Sequence, residues 1–71
     1  MMSKTRFNME QEIFAAWQIV DDLNLLHEAV LEKDITRDEI SNTVMGLEHL
    51  YNLKFQRLMS TFEELIKSKK L

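Results

Sequence analysis

His27 is followed directly by Glu28. That pair opens the helical zinc-protease pattern, in which a second histidine four residues after the first completes the metal site and the glutamate acts as base. The position that would carry it is Leu31, so the pattern breaks off. The Glu-x-x-His pair of two-metal helical bundles fails too: Asn24 stands three residues before His27, and Gly46 three before His49. Asp21 and Asp22 are adjacent carboxylates, but consecutive helical positions diverge by about 100°, too far for a tight acid–base pair within one chain. Ser3, Ser41, Ser60 and Ser68 have no evident base, and there is neither a Gly-rich phosphate loop nor a G-x-S-x-G elbow. With no cysteine in the chain, thiolate chemistry and disulfides are excluded. These residues predict no catalytic group, no metal and no cofactor. His27 reads as a hydrogen-bonded core or boundary residue, and His49 as solvated or at an interface.

The elements that hold these residues are helical. The 71 residues include no proline and one glycine, Gly46, which argues against a turn-rich β fold and against a disordered linker. The clearest local signal is DITRDEI, residues 34–40. Thr36 and Glu39 have the spacing of a capping box, Ile35 and Ile40 that of a hydrophobic staple, and Asp38 and Glu39 oppose the helix dipole. A second helix is therefore predicted over 37–67, after a turn at 34–36. The first helix is predicted over about 9–33, capped by Asn8 with Gln11 three residues on, and roughly 38 Å long. Its core stripe is expected to comprise Ala16, Ile19, Val20, Leu23, Leu26, His27 and Val30.

In the second helix the apolar positions repeat every eleven residues: Ile40, Tyr51 and Phe62; Val44, Phe55 and Ile66; Leu47 and Leu58. That period lies close to a straight helix and does not favour a left-handed supercoil. A turn of three residues makes the helices antiparallel neighbours. Positions summing to about 70 should face each other, Leu23 with Leu47, Ile19 with Tyr51 and Met9 with Phe62. The fold class is thus all-α: one domain, 1–71, an antiparallel two-helix hairpin.

Two helices cannot enclose every apolar side chain here. Phe7, Phe14 and Leu25 fall nearly opposite the first stripe, Trp17 lies between the two faces, and Leu50 and Leu53 lie off the second stripe. A contiguous apolar patch marks an interface, so these six are the expected protein contacts. The simplest cover is a second copy, giving a two-fold homodimer that forms a four-helix bundle. A partner helix seated in the groove is the competing arrangement.

Net charge is −3, distributed as +2 over residues 1–7, −7 over 8–39 and +2 over 40–71. This is not the profile of a uniformly basic nucleic-acid binder. In a hairpin, however, Lys4, Arg6, Lys67, Lys69 and Lys70 would gather at one pole, where they could meet phosphates. The plainer role for them is to offset the helix dipole and keep the chain soluble. MMSKTRF has no apolar run after its charges, and no stretch approaches 18 apolar residues. No secretory signal and no membrane span are expected, and the chain reads as cytoplasmic.

The anchors Trp17, Asp22-Leu23, Asp38-Glu39-Ile40, Gly46-Leu47, Leu50-Tyr51, Lys54-Phe55 and Phe62-Glu63 resemble those of small uncharacterised helical proteins carried by large tailed phages, over about residues 9 to 66. Such proteins, where understood, often bind and disable a host enzyme or defence component, and the resemblance implies that role. In outline the chain is also similar to Rop-type RNA-binding hairpin dimers, though it has no matching basic aromatic surface on its helix faces. The expectation is a non-enzymatic protein-binding module. The alternatives are a nucleic-acid-binding bundle and a structural assembly subunit.

Overall fold

The computed structural model describes residues 4–70; Met1–Ser3 and Leu71, the ends of the expected 1–71 domain, lie outside the described residues. Three helical segments follow one another: α1 (Arg6–Trp17), α2 (Ile19–Leu31) and α3 (Arg37–Lys67). The first two form a single rod interrupted at Gln18. That rod packs antiparallel on α3, so the chain is the helical hairpin its sequence predicts. The molecule measures 50 × 17 × 16 Å.

The start of α3 is as expected. The Thr36 hydroxyl accepts from the Glu39 amide at 3.1 Å, and the Glu39 carboxylate accepts from the Thr36 amide at 2.8 Å. A cap of this kind contributes roughly 1 kcal/mol. The start of α1 differs. Its cap is Thr5 rather than Asn8, and Asn8 occupies the third helical position, accepting from the Thr5 amide at 2.8 Å. The Thr5 hydroxyl in turn accepts from the Asn8 amide at 3.2 Å. An asparagine thus closes a capping box whose usual third-position residue is Glu or Gln.

Both rods end in the same way. Lys33 (φ 59°) and Lys69 (φ 57°) adopt the left-handed conformation. The Asp34 amide then donates to the Ala29 carbonyl at 3.1 Å, and the Lys70 amide to the Leu65 carbonyl at 2.9 Å. This is the Schellman closure, with lysine at the position that usually carries glycine. The first rod therefore stops at Leu31, two residues short of the predicted end.

The interruption at Gln18 coincides with a contact from the opposite rod. The Lys54 ammonium, reaching across from α3, donates to the Ala15 carbonyl at 3.2 Å and approaches Gln18 Oε1 at 3.5 Å. A side chain inserted against the carbonyl ladder is one of the few things that break a helix locally.

The predicted register holds to within about one helical turn, with Tyr51 against Asp22 rather than Ile19 and Leu47 beside Leu26 rather than Leu23. Tyr51 meets Asp22, Lys54 meets Ala15, and Met9 and Phe62 line one groove, so facing positions sum to about 70. The predicted face holds only along one edge, where Ala16, Ile19 and Leu26 are covered together with Ile40, Leu47, Tyr51 and Leu58 of the second stripe. Val20, Leu23, His27 and Val30 are exposed, as are Val44, Phe55, Phe62 and Ile66 of the eleven-residue stripe. On α3 the covered positions include Ile40, Leu47, Tyr51, Lys54, Leu58, Thr61 and Leu65, which advance by one step of seven and then alternate fours and threes. Two rods in contact bury only a narrow seam of this kind. Here the seam is shared with polar residues that need partners, Glu12, Asp22, Lys54 and Thr61, and the rods meet along the edge of their apolar stripes rather than the middle.

Candidate functional site: the uncovered apolar faces

Few side chains leave solvent. Among the described residues Ala16, Tyr51 and Leu65 are the buried apolar side chains and Thr61 the buried polar one, against sixteen large hydrophobics that stay exposed. A compact folded chain of this mass would expose about 4,650 Å², whereas this one exposes 6088 Å². Its radius of gyration, 16.1 Å, likewise exceeds the roughly 11 Å of a compact chain of this length.

A polar line runs down the seam. The Tyr51 hydroxyl donates to the Asp22 carboxylate, and the Lys54 ammonium sits 4.5 Å from the centre of the Tyr51 ring. The hydrogen bond to Asp22, then burial and the charges of Asp22 and Asp21, push the Tyr51 phenol up to about 12. Farther along, Lys4 pairs with Glu12 at 2.9 Å. Burial raises the Glu12 carboxyl, but the Thr61 hydroxyl, Lys4 and the charge of Arg57 outweigh it, so the net direction is down. Neither Glu12 Oε1 nor the Thr61 hydroxyl has a well-formed hydrogen bond. Every group in this line is tied to the packing of the hairpin. Among the described residues no cluster of three His, Cys, Asp or Glu side chains could hold a metal ion.

The seam divides the remaining apolar surface into two faces. The first contains a groove of about 330 Å³ lined by Met9, Ile13, Phe55, Leu58, Met59 and Phe62, with almost no polar surface. Helical repeats of three, four and seven residues continue it along both rods, through Val20, Leu23 and Val30 on one and through Val44 and Ile66 on the other. The exposed members of this face are between 40% and 56% accessible. Their apolar spacing was legible in the sequence; what misplaced them was their assignment to the core.

The second face lies across the seam. It contains a groove of about 430 Å³ whose walls include Leu25, Leu26, Ala29, Ile35, Leu47 and Leu50. An adjoining depression joins Leu50 and Leu53 to Glu12, Ala15, Lys54 and Arg57.

The six residues expected at an interface, Phe7, Phe14, Trp17, Leu25, Leu50 and Leu53, are all exposed, between 46% and 68%. The fold brings Leu25 and Leu50 into one groove, and Leu50 and Leu53 into the next. Phe7 and Phe14 stand one heptad apart on the outer edge of α1, and Trp17 is exposed beside the break. At the pole, the Lys70 ammonium reaches the Lys4 carbonyl at 3.5 Å, and Lys4 and Lys67 line one open depression. Lys4 already holds Glu12 there. Arg6 and Lys69 are exposed near the same end. Among the described residues no helix is long and apolar enough to cross a membrane.

No family model matches this chain, and neither a curated protein nor a solved structure is significantly similar to it. The class that fold and surface define is therefore a structural one, a helical hairpin with two uncovered apolar faces.

Proposed function

We propose that the chain is a non-enzymatic protein–protein binding module. Its hairpins pair into a four-helix bundle, and the apolar surface that remains takes a protein partner. The observation that carries this reading is the excess of exposed surface, about 1,400 Å² beyond a compact chain of equal mass, on a hairpin that leaves many large hydrophobic side chains exposed. Exposed apolar side chains gathered into grooves, as on each of the two faces, mark an interaction site. The likeness to small phage proteins supports a host protein as the partner and the host cytoplasm as the place of action. Within the surface, Phe14, Trp17 and Leu25 are assigned to the partner, because large rigid anchors dominate interface energetics.

Two measurements test the two parts. Light scattering at tens of micromolar is expected to give twice the chain mass of 8.5 kDa; a strict monomer there removes the pairing. The double variant Phe14→Ser, Leu25→Ser is expected to keep its helicity and mass in solution while losing the protein that the wild-type chain retains from host cells. Undiminished retention removes the partner surface.

A further inference from the structure

Resting on the reading that copies pair, we infer that the second copy sits on the first face, over Ile13, Leu23, Val44, Phe55, Phe62 and Ile66, and leaves the Leu25–Leu50 groove open. Three observations support this occupant. The first is area. The excess of about 1,400 Å² per chain becomes about 2,800 Å² for a pair, within the roughly 2,000–5,000 Å² of obligate homodimers and well above the 800 Å² per side that a standard partner covers. A second copy matches that demand in kind, since it brings an identical face with the same need.

The second observation is charge. The Leu50–Leu53 side carries Glu12, Lys54 and Arg57 beside its apolar residues. Pressing two such sides together would strip water from three ions on each copy, a desolvation cost that an apolar face does not carry. Along the first face the groove is almost wholly apolar, and the polar side chains beside its continuation include His27, Glu48, His49 and Asn52, all exposed, with Glu48 as their one formal charge.

The third is symmetry. Tyr51 is level with Asp22 and Leu47 lies beside Leu26, so on the α2 side of the break, where the offset is slightly larger than along α1, positions summing to about 73 share a height. His27 and Glu48 fall within about 3 Å of one level. A two-fold axis along the rods sets α1 and α2 of one copy antiparallel to α3 of the other. It also brings the donor His27 over the partner's Glu48. The self-complementarity that a two-fold interface requires is thus present on this face.

Equilibrium sedimentation of the full chain tests the assignment, with circular dichroism of each variant alongside. Phe55→Glu, at a half-exposed position, is expected to retain helicity and to raise the dimer dissociation constant at least about a hundredfold. Leu25→Glu, across the seam, is expected to leave it within about threefold. Single-cysteine variants give a readout that does not depend on a charged substitution. In a chain without other cysteines, alkylation of Val44→Cys should slow as the dimer fills, while that of Leu53→Cys should not. If Leu25→Glu dissociates the pair and Phe55→Glu does not, the face is wrong and the pairing stands. Protection of Leu53→Cys with Val44→Cys unprotected says the same. A wild-type chain that stays monomeric overturns both.

Discussion

Tyr51 is the chain's single tyrosine, and it is held in the seam by donating to Asp22. Its phenol is pushed from 10.0 up to about 12. A group whose proton is held more tightly in the folded state stabilises that state below its unfolded pKa. The contribution is lost as pH rises through the folded value. The window is therefore about pH 10 to 12. Ultraviolet titration should show tyrosinate forming near the upper end of that window in the native chain and near 10 in denaturant. In Tyr51→Phe the fall in stability across the window should be smaller. A native titration near 10 would mean that the bond to Asp22 does not form. Glu39 lies on the other side of neutrality. The Thr36 amide and hydroxyl hold its carboxyl below the usual range, so the capping box at α3 stabilises above the ordinary carboxylate pKa and fails as pH falls through the lowered one.

At the scale of the elements, two positions run against local preference, and each makes a prediction. Gly46 lies in the interior of α3, and a Cβ built there meets no atom within 4 Å. Gly46→Ala should stabilise the chain by roughly 1 kcal/mol in urea unfolding. If it instead weakens self-association or partner binding, a neighbouring backbone comes close at Gly46. Lys33 has the opposite mismatch, a side chain at a left-handed position. Lys33→Gly should gain about 1 kcal/mol, since the strained conformation suits glycine. No gain would mean that the Schellman closure does not persist in solution. The cues for the start of α3 could be read directly because Thr36, Glu39, Ile35 and Ile40 follow a known spacing. The Thr5–Asn8 box and the lysine-terminated ends escaped detection because the residues involved are not those usually found there.

For the whole molecule, dimerisation links stability to concentration. If folding is completed by pairing, a tenfold rise in chain concentration adds about 1.4 kcal/mol per dimer. The melting temperature should then climb by a few degrees. A melting temperature independent of concentration, in a chain that light scattering shows to be dimeric, would mean that pairing adds nothing to folding. The reason to expect the link is that Ala16, Tyr51 and Leu65 form a very small core, while chains of this size have little stability of their own to spare.

Sequence alone determined the all-α class, the hairpin, the helix over 37–67 and, to within about a turn, the register of facing positions; the connection it placed at 34–36 begins two residues earlier. Those depend on local capping, spacing and loop length, which act within a few residues. Tertiary structure decided which edge of each apolar stripe was covered. A seam between two rods admits only a narrow strip, and Tyr51, Lys54, Glu12 and Asp22 claim part of it for contacts that no single helix contains. Val20, Leu23, Val44 and Phe55 share the helical spacing of a core and yet lie outside it, because periodicity locates a greasy side of a helix but not the neighbour that lies against it.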